Sequence, residues 1–257
     1  MLIEVTDPRD PRLADFVDLR DSQLRRSGGR FIAEGLKIIE RAFAAGCVPR
    51  ALLLQPRWLA DLDDLLLAHP EVDVFVASEA LIEQVSGFHV HRGALGSFSR
   101  PAETPLEFFL AARRVIVCEE LVDHANTGAV MRIAAGLGWD GVLVSPGGAD
   151  PLYRRAVKSS MGASLAVPWH RMTGTGDLVA LRDAGVRLVA AALTPSAVPL
   201  PRYRVPERAA LLLGSEGPGL SDEWLGIADD VVTIPMTAAV DSLNVATAAA
   251  ILAYELR

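Results

Sequence analysis

The sequence predicts an α/β protein in two parts, a smaller N-terminal α/β domain over residues 1–100 and a larger, mainly parallel one over 106–257. Three observations predict it. Val115-Ile116-Val117-Cys118, Gly141-Val142-Leu143-Val144, Leu188-Val189-Ala190-Ala191 and Ala210-Leu211-Leu212-Leu213 are continuous apolar runs of strand length. Strands buried on both faces read this way, which marks a parallel sheet covered by helices. Helix-length segments separate the runs, as parallel crossovers require. Finally, Ser99-Arg100-Pro101-Ala102-Glu103-Thr104-Pro105 interrupts the pattern with two prolines and polar residues, the composition of a short linker.

Taken in order, Phe31-Ile32-Ala33 reads as a short strand and Glu34 to Ala45 as an amphipathic helix. Gly46 closes it, because glycine tolerates the left-handed conformation that commonly follows a helix. Ala51-Leu52-Leu53-Leu54 is a buried strand, and Pro56 suits the first turn of another helix. Val72 to Ala77 is strand again, and Ser78 offers a hydroxyl cap to the helix after it. Past the linker, Asn126-Thr127-Gly128-Ala129-Val130-Met131-Arg132 enters a helix that Asn126 is placed to open. Val231-Val232-Thr233-Ile234 is strand-like and stops at Pro235-Met236. The last helix opens near Ser242 and Asn244, both good capping types, and runs on alanine, leucine and isoleucine almost to Arg257. Trp139 and Trp169 are most simply core or interface residues.

Composition narrows the function. Hydrophobic residues make up 51% and charged ones 22% of 257, a globular profile with ample core. The longest apolar stretches, such as Ala248 to Tyr254, fall far short of the roughly 20 residues that span a bilayer. Met1 to Asp7 has neither a basic start nor a long apolar core, so no signal peptide is expected and the protein reads as cytoplasmic. Cys47 and Cys118 each lie beside apolar residues and read as reduced thiols. A net charge of −7 argues against a wholly electrostatic grip on nucleic acid. The basic residues are clustered, however, at Arg20, Arg25, Arg26 and Arg30, at Arg113 and Arg114, and at Arg154, Arg155 and Lys158, while acids gather at Asp61, Asp63 and Asp64 and at Asp229 and Asp230. Such clusters are ordinary solvated faces more often than binding sites.

Three segments carry chemistry. Asn126 to Arg132 is a polar turn leading into a helix with an arginine. Leu213-Gly214-Ser215-Glu216-Gly217-Pro218-Gly219 is an apolar strand feeding a glycine-rich turn with a carboxylate inside it. Ser242-Leu243-Asn244 offers a hydroxyl, an amide and unpaired backbone N–H groups at a helix start, more than one cap needs. In this order the three segments resemble the motifs of the SpoU/TrmH family of RNA ribose 2′-O-methyltransferases, members of the SPOUT class. The resemblance covers about Leu106 to Arg257. Arg30-Phe31-Ile32-Ala33-Glu34-Gly35-Leu36-Lys37 resembles the start of the L30e/L7Ae-like domain that precedes it in relatives and implies that residues 1–100 select the RNA.

The resemblance implies S-adenosylmethionine as cofactor, no metal, a homodimer, no membrane partner, and an RNA substrate, ribosomal RNA ahead of tRNA. It also implies that the final segment is threaded as a trefoil knot, which sequence pattern alone does not suggest. It assigns Leu213, Gly214, Gly217, Ile234, Met236 and Leu243 to the cofactor, with glycine letting backbone approach the adenosine and Ile234, Pro235 and Met236 forming an apolar wall. Arg132 becomes the catalytic residue, with Ser242, Asn244, Glu216 and Asn126 around it. A free guanidinium is a poor base, so Arg132 is expected to stabilise the developing alkoxide or orient the hydroxyl through a phosphate, ahead of abstracting the proton. Glu216 is expected to anchor the turn by accepting backbone N–H groups or to contact Arg132 across the site. Each residue also has a plainer reading: Arg132 as a surface arginine paired with a nearby acid, Asn126 and Ser242 as caps, Glu216 as a turn former only, and the glycine turn as an ordinary strand-to-helix turn.

The chain departs from the family pattern at Ala246, where many relatives have a second serine, at His124-Ala125, where Pro-Gly is common, and at Lys158, where arginine is common. These departures touch substrate identity and phosphate geometry, not the core motifs. His89 and His91 have strand spacing but no third ligand nearby and read as a strand pair. Gly136-Leu137-Gly138 and Gly147-Gly148 lack the spacing of a dinucleotide fingerprint, which disfavours an NAD-dependent oxidoreductase. A non-catalytic RNA-binding protein, using the first domain with the second serving dimerisation only, is the remaining alternative.

Overall fold

A computed structural model describes residues 1–17, 19, 29–90, 93–237 and 242–257. Arg20, Arg25, Arg26 and His91 lie outside the described residues. The strands are β1 (Leu2–Glu4), β2 (Arg30–Glu34), β3 (Pro49–Leu54), β4 (Asp73–Val76), β5 (Ala94–Ser99), β6 (Arg114–Cys118), β7 (Gly141–Val144), β8 (Trp169–Arg171), β9 (Arg187–Ala191), β10 (Val198–Pro199), β11 (Ala209–Leu213) and β12 (Asp230–Thr233). The α-helices among the described residues are α1 (Leu36–Ala44), α2 (Asp63–Ala68), α3 (Glu79–Ser86), α4 (Leu106–Ala111), α5 (His124–Leu137), α6 (Arg154–Ser159), α7 (Gly176–Asp183), α8 (Asp222–Ile227) and α9 (Val245–Glu255).

Two compact units result, Met1–Ala102 with Leu152–Leu165, and Glu103–Pro151 with Ala166–Arg257. In the first unit the sheet order is β1-β4-β3-β5-β2. The β1, β4 and β3 pairings are parallel, and β5 runs antiparallel to both β3 and β2. Leu13, Phe16, Ile32, Leu53, Phe75 and Leu95 pack into one apolar core. Ser78 caps α3 as expected, its Oγ accepting from the Leu81 N–H at 3.3 Å. Pro56 begins only a short 3-10 turn, Pro56–Trp58, and regular α-helix waits until Asp63. Three-residue β1 and glycine- and serine-containing β5 carry weak strand signals, and both were missed. His89 precedes β5 instead of lying in a strand, and its Nδ1 stands 3.5 Å from Glu83 Oε2.

Leu152–Leu165, read from sequence as part of 106–257, packs with the first unit. Glu34 is the physical reason. Its side chain is 1% exposed at the end of β2, and its two oxygens accept from Arg154 Nη1 and Lys158 Nζ of α6, each at 2.5 Å. A buried carboxylate without such partners is costly, so the pair of cations draws α6 onto β2. Arg154 also lies over the Phe88 ring, 3.9 Å from its centroid. Two of the three basic residues in that cluster are thus engaged internally.

In the second unit all ladders are parallel, in the order β10-β12-β9-β11-β6-β7-β8. The five apolar or strand-like runs read from the sequence are β6, β7, β9, β11 and β12, and the first four line up at the centre with β12 beside them. Val115, Val117, Leu143, Leu188, Ala190 and Leu212 form the core under α4, α7 and α8. Trp139 and Trp169 are buried, and Trp139 Nε1 donates to the Ala253 carbonyl at 3.1 Å. Arg114, counted into a basic cluster, is buried at 6% exposure. Its guanidinium donates to the carbonyls of Leu256 at 2.5 Å, Glu207 at 2.6 Å and Pro206 at 2.8 Å, fastening the end of α9. Cys47 and Cys118 are free thiols, and burial pushes Cys118 up to about 12, which keeps it protonated.

Candidate active site

The adjacent strands β11, β9 and β12 end on one cavity of about 550 Å³. Ligands of open α/β sheets collect beyond the carboxyl ends of parallel strands, because the turns there expose backbone polar groups while the sheet below stays dry. One wall is the glycine-rich turn after β11. Ser215 and Gly219 exchange both backbone hydrogen bonds across it at 3.1 Å each, so the turn folds back on its own start. A Cβ on Gly214 would stand 2.1 Å from the Gly219 carbonyl carbon and 2.2 Å from the Leu220 nitrogen. Gly214 is therefore required by the turn's own backbone, a stronger reason than the close approach of a ligand that the sequence suggested. Gly217 has φ 92°, the left-handed region that favours glycine.

Ile234 and Met236, half-buried after β12, form the apolar side. Ser242, Leu243 and Asn244, leading into α9, close the opposite side. Leu213, Gly214, Gly217, Ile234, Met236 and Leu243 thus all line the cavity, together with Glu216, Ser242 and Asn244. Sequence reasoning missed Ala191, Ala192, Leu193 and Thr194, which line it from the end of β9. No motif marks them; their place follows from β9 lying between β11 and β12.

At the mouth, Asn126, Glu216 and Asn244 form a closed polar triangle. Asn126 Nδ2 donates to Glu216 Oε1. Asn244 Nδ2 donates to the same oxygen at 3.3 Å and to Asn126 Oδ1 at 3.2 Å. Asn244 also caps α9, its Oδ1 accepting from the N–H groups of Ala246 at 2.9 Å and Thr247 at 3.3 Å. One side chain therefore both starts the helix and holds the carboxylate, contributing about 1 kcal/mol by the cap alone. Ser242 is exposed, two residues before that cap, and takes no part in it.

One expectation is corrected by α5. Asp123, not Asn126, caps the helix, accepting from the N–H groups of Ala125 at 2.5 Å and Asn126 at 3.1 Å. Asn126 sits in the first turn with its side chain free for Glu216. Arg132 lies six residues further on, about 240° around the helix axis, and so on a different face. It is exposed, does not line the cavity and makes no hydrogen bond or ion pair among the described residues. Glu216 pairs with two amides rather than with Arg132. Ile133, Gly136 and Leu137 of α5 share an apolar groove with Ala250, Ile251 and Tyr254 of α9.

Residues 113–254, more than half the chain, match the SpoU rRNA Methylase family, and residues 10–94 match an MRM3-like substrate binding domain. The chain is 43% identical over 261 residues to an uncharacterised tRNA/rRNA methyltransferase of Mycobacterium tuberculosis, covering 98% of this chain and 90% of that relative. It is 26% identical over 258 residues to a 23S rRNA (guanosine(2553)-2′-O)-methyltransferase of Bacillus subtilis, covering 99% of each. Among solved structures, an AdoMet-bound rRNA methyltransferase from Sinorhizobium meliloti superposes with a TM-score of 0.86 at 26% identity, covering 100% of this chain and 97% of that one. With its motifs gathered at the ends of three parallel strands and matches of this extent on both units, the chain belongs to the SpoU rRNA methylase family and is an RNA methyltransferase.

Proposed function

We propose that this chain transfers the methyl group of S-adenosylmethionine to a ribose 2′-hydroxyl of ribosomal RNA. The observation that carries the reading is the cavity at the ends of β9, β11 and β12, with the Asn126–Glu216–Asn244 triangle at its mouth. Its volume of about 550 Å³ lies within the range of small-molecule sites. Ile234, Met236 and Leu243 give an apolar slot for a planar base, and the turn at Gly214–Gly217 brings backbone alongside it. Bound there, the cofactor supplies an electrophilic methyl carbon on a sulfonium.

The chain's own residues must then hold the hydroxyl in line and accept the developing charge. Asn126, Glu216 and Asn244 keep the mouth rigid, Ser242 offers a hydroxyl to the sugar, and Arg132 stabilises the alkoxide or grips the target phosphate. Arg132 reaches a site by assembly. The apolar groove of α5 and α9, with Ile251 and Tyr254 exposed, suits a two-fold partner. Asn126 serves the site of its own chain, and Arg132, on another face of α5, serves the partner's. Sedimentation at micromolar concentration is expected to give a dimer in the active form, and an active monomer contradicts this arrangement.

The first unit selects the RNA, in keeping with its match to a substrate binding domain. Ribosomal RNA is favoured over tRNA by the Bacillus subtilis relative, whose name specifies 23S rRNA. A ribosomal substrate sets the place of work in the cytoplasm. No helix among the described residues is long and apolar enough to cross a membrane. Mapping 2′-O-methyl groups in RNA from cells with and without the gene tests the reading. One ribosomal ribose is expected to lose its methyl group and regain it on adding purified protein and S-adenosylmethionine; a lost tRNA mark redirects the substrate, and no lost mark refutes the activity.

A further inference from the structure

We infer that Glu119 is a positioning residue that sets the shape of the cofactor turn from outside the cavity. It follows the last residue of β6, the strand beside β11. Its backbone N–H donates to the carbonyl of Leu213 at 2.8 Å, immediately before Gly214. Its carboxylate takes the far end of the same turn: Oε2 accepts the Ser221 N–H at 2.8 Å and Oε1 accepts the Ser221 hydroxyl at 2.5 Å. One residue therefore pins both the entry and the exit of Gly214–Leu220. The inner pair Ser215–Gly219 closes the turn on itself, and the outer clamp ties it to the end of β6.

Energetics favour a positional role over simple stabilisation. Glu119 is 7% exposed, and no cation pairs with it among the described residues. A buried carboxylate held only by one amide and one hydroxyl recovers less of its desolvation cost than an ion pair would, and an apolar residue would pack there at lower cost. What an apolar residue lacks is direction: two acceptor oxygens hold Ser221 in one orientation, with its Oγ also accepting the Trp224 N–H at 3.3 Å to cap α8. Neither Glu119 nor Ser221 lines the cavity, so both act through the turn.

The clamp rests on the cofactor assignment of that turn, and two substitutions at Ser221 separate it from the cap. Aspartate and asparagine both cap helices as well as serine does. Ser221→Asn keeps a donor for Glu119, whereas Ser221→Asp replaces it with a like charge. Ser221→Asp is expected to raise the KM for S-adenosylmethionine by on the order of tenfold, the scale of losing one buried charge-assisted hydrogen bond. The kcat at saturating cofactor and the KM for RNA stay near those of the unmodified protein, and Ser221→Asn behaves like it throughout. Glu119→Leu, which leaves Ser221 without an acceptor, follows Ser221→Asp. An unchanged cofactor KM in both Ser221→Asp and Glu119→Leu overturns the clamp alone. A fall in kcat and loss of RNA affinity in step with a lowered melting temperature also overturns it, as a purely structural role. Failure of the unmodified protein to bind S-adenosylmethionine overturns the cofactor assignment together with the clamp.

Discussion

Arg132→Ala is expected to leave S-adenosylmethionine affinity near that of the unmodified protein while single-turnover methyl transfer falls by on the order of a hundredfold or more, the scale of removing one group that meets charge at the transition state. Arg132 is exposed and absent from the cavity wall, so its loss leaves the cofactor's surroundings intact. Arg132→Lys is expected to recover little, because a compact ammonium does not reproduce the planar fork of a guanidinium. A solvated surface arginine predicts the opposite, near-normal rates in both variants. Mixing Arg132→Ala chains with chains altered at Glu216 sharpens the test: if Arg132 serves the partner's site, the mixed dimer regains one intact site and part of the activity.

Gly214→Ala should have the largest effect on the cofactor site for the smallest chemical change. Its Cβ would stand 2.1 Å from the Gly219 carbonyl carbon, and neither that backbone nor the Leu220 nitrogen is a flexible end that swings away. Overpacking of this kind costs roughly 1–3 kcal/mol, so cofactor affinity is expected to fall by about tenfold to a hundredfold as the turn opens. Gly217→Ala is the contrast: its φ of 92° strains an alanine, but its Cβ meets nothing within 4 Å. Titration calorimetry of the two variants at matched melting temperature distinguishes them, and equal affinities would show that crowding at Gly214 does not govern the site.

Most of the second unit was legible in the sequence, and the three motifs marked two sides of the cavity. Apolar runs such as Val115 to Cys118 and Ala210 to Leu213 are buried on both faces, and burial that complete leaves one reading, a covered parallel strand. The family resemblance singled out Leu213, Gly214, Gly217, Ile234, Met236 and Leu243, and each lies on or just beyond a strand, or just before the last helix, where the cavity forms. The rest depended on contacts between segments far apart in the chain. Asn126 was legible as a polar residue at a helix start, but whether it or Asp123 caps the helix depends on a shift of three residues that sequence signals do not resolve. Leu193 and Thr194 join the site because β9 lies between β11 and β12, a strand order that local sequence does not encode. Likewise, Glu34 lies 120 residues from Arg154 and 124 from Lys158 along the chain, yet their pairing brings Leu152–Leu165 into the first unit. Local conformation follows from neighbouring residues through backbone sterics and capping. The pairing of a buried carboxylate with its distant partners is settled only when the whole chain has excluded water from it, and that is a property of the packed structure.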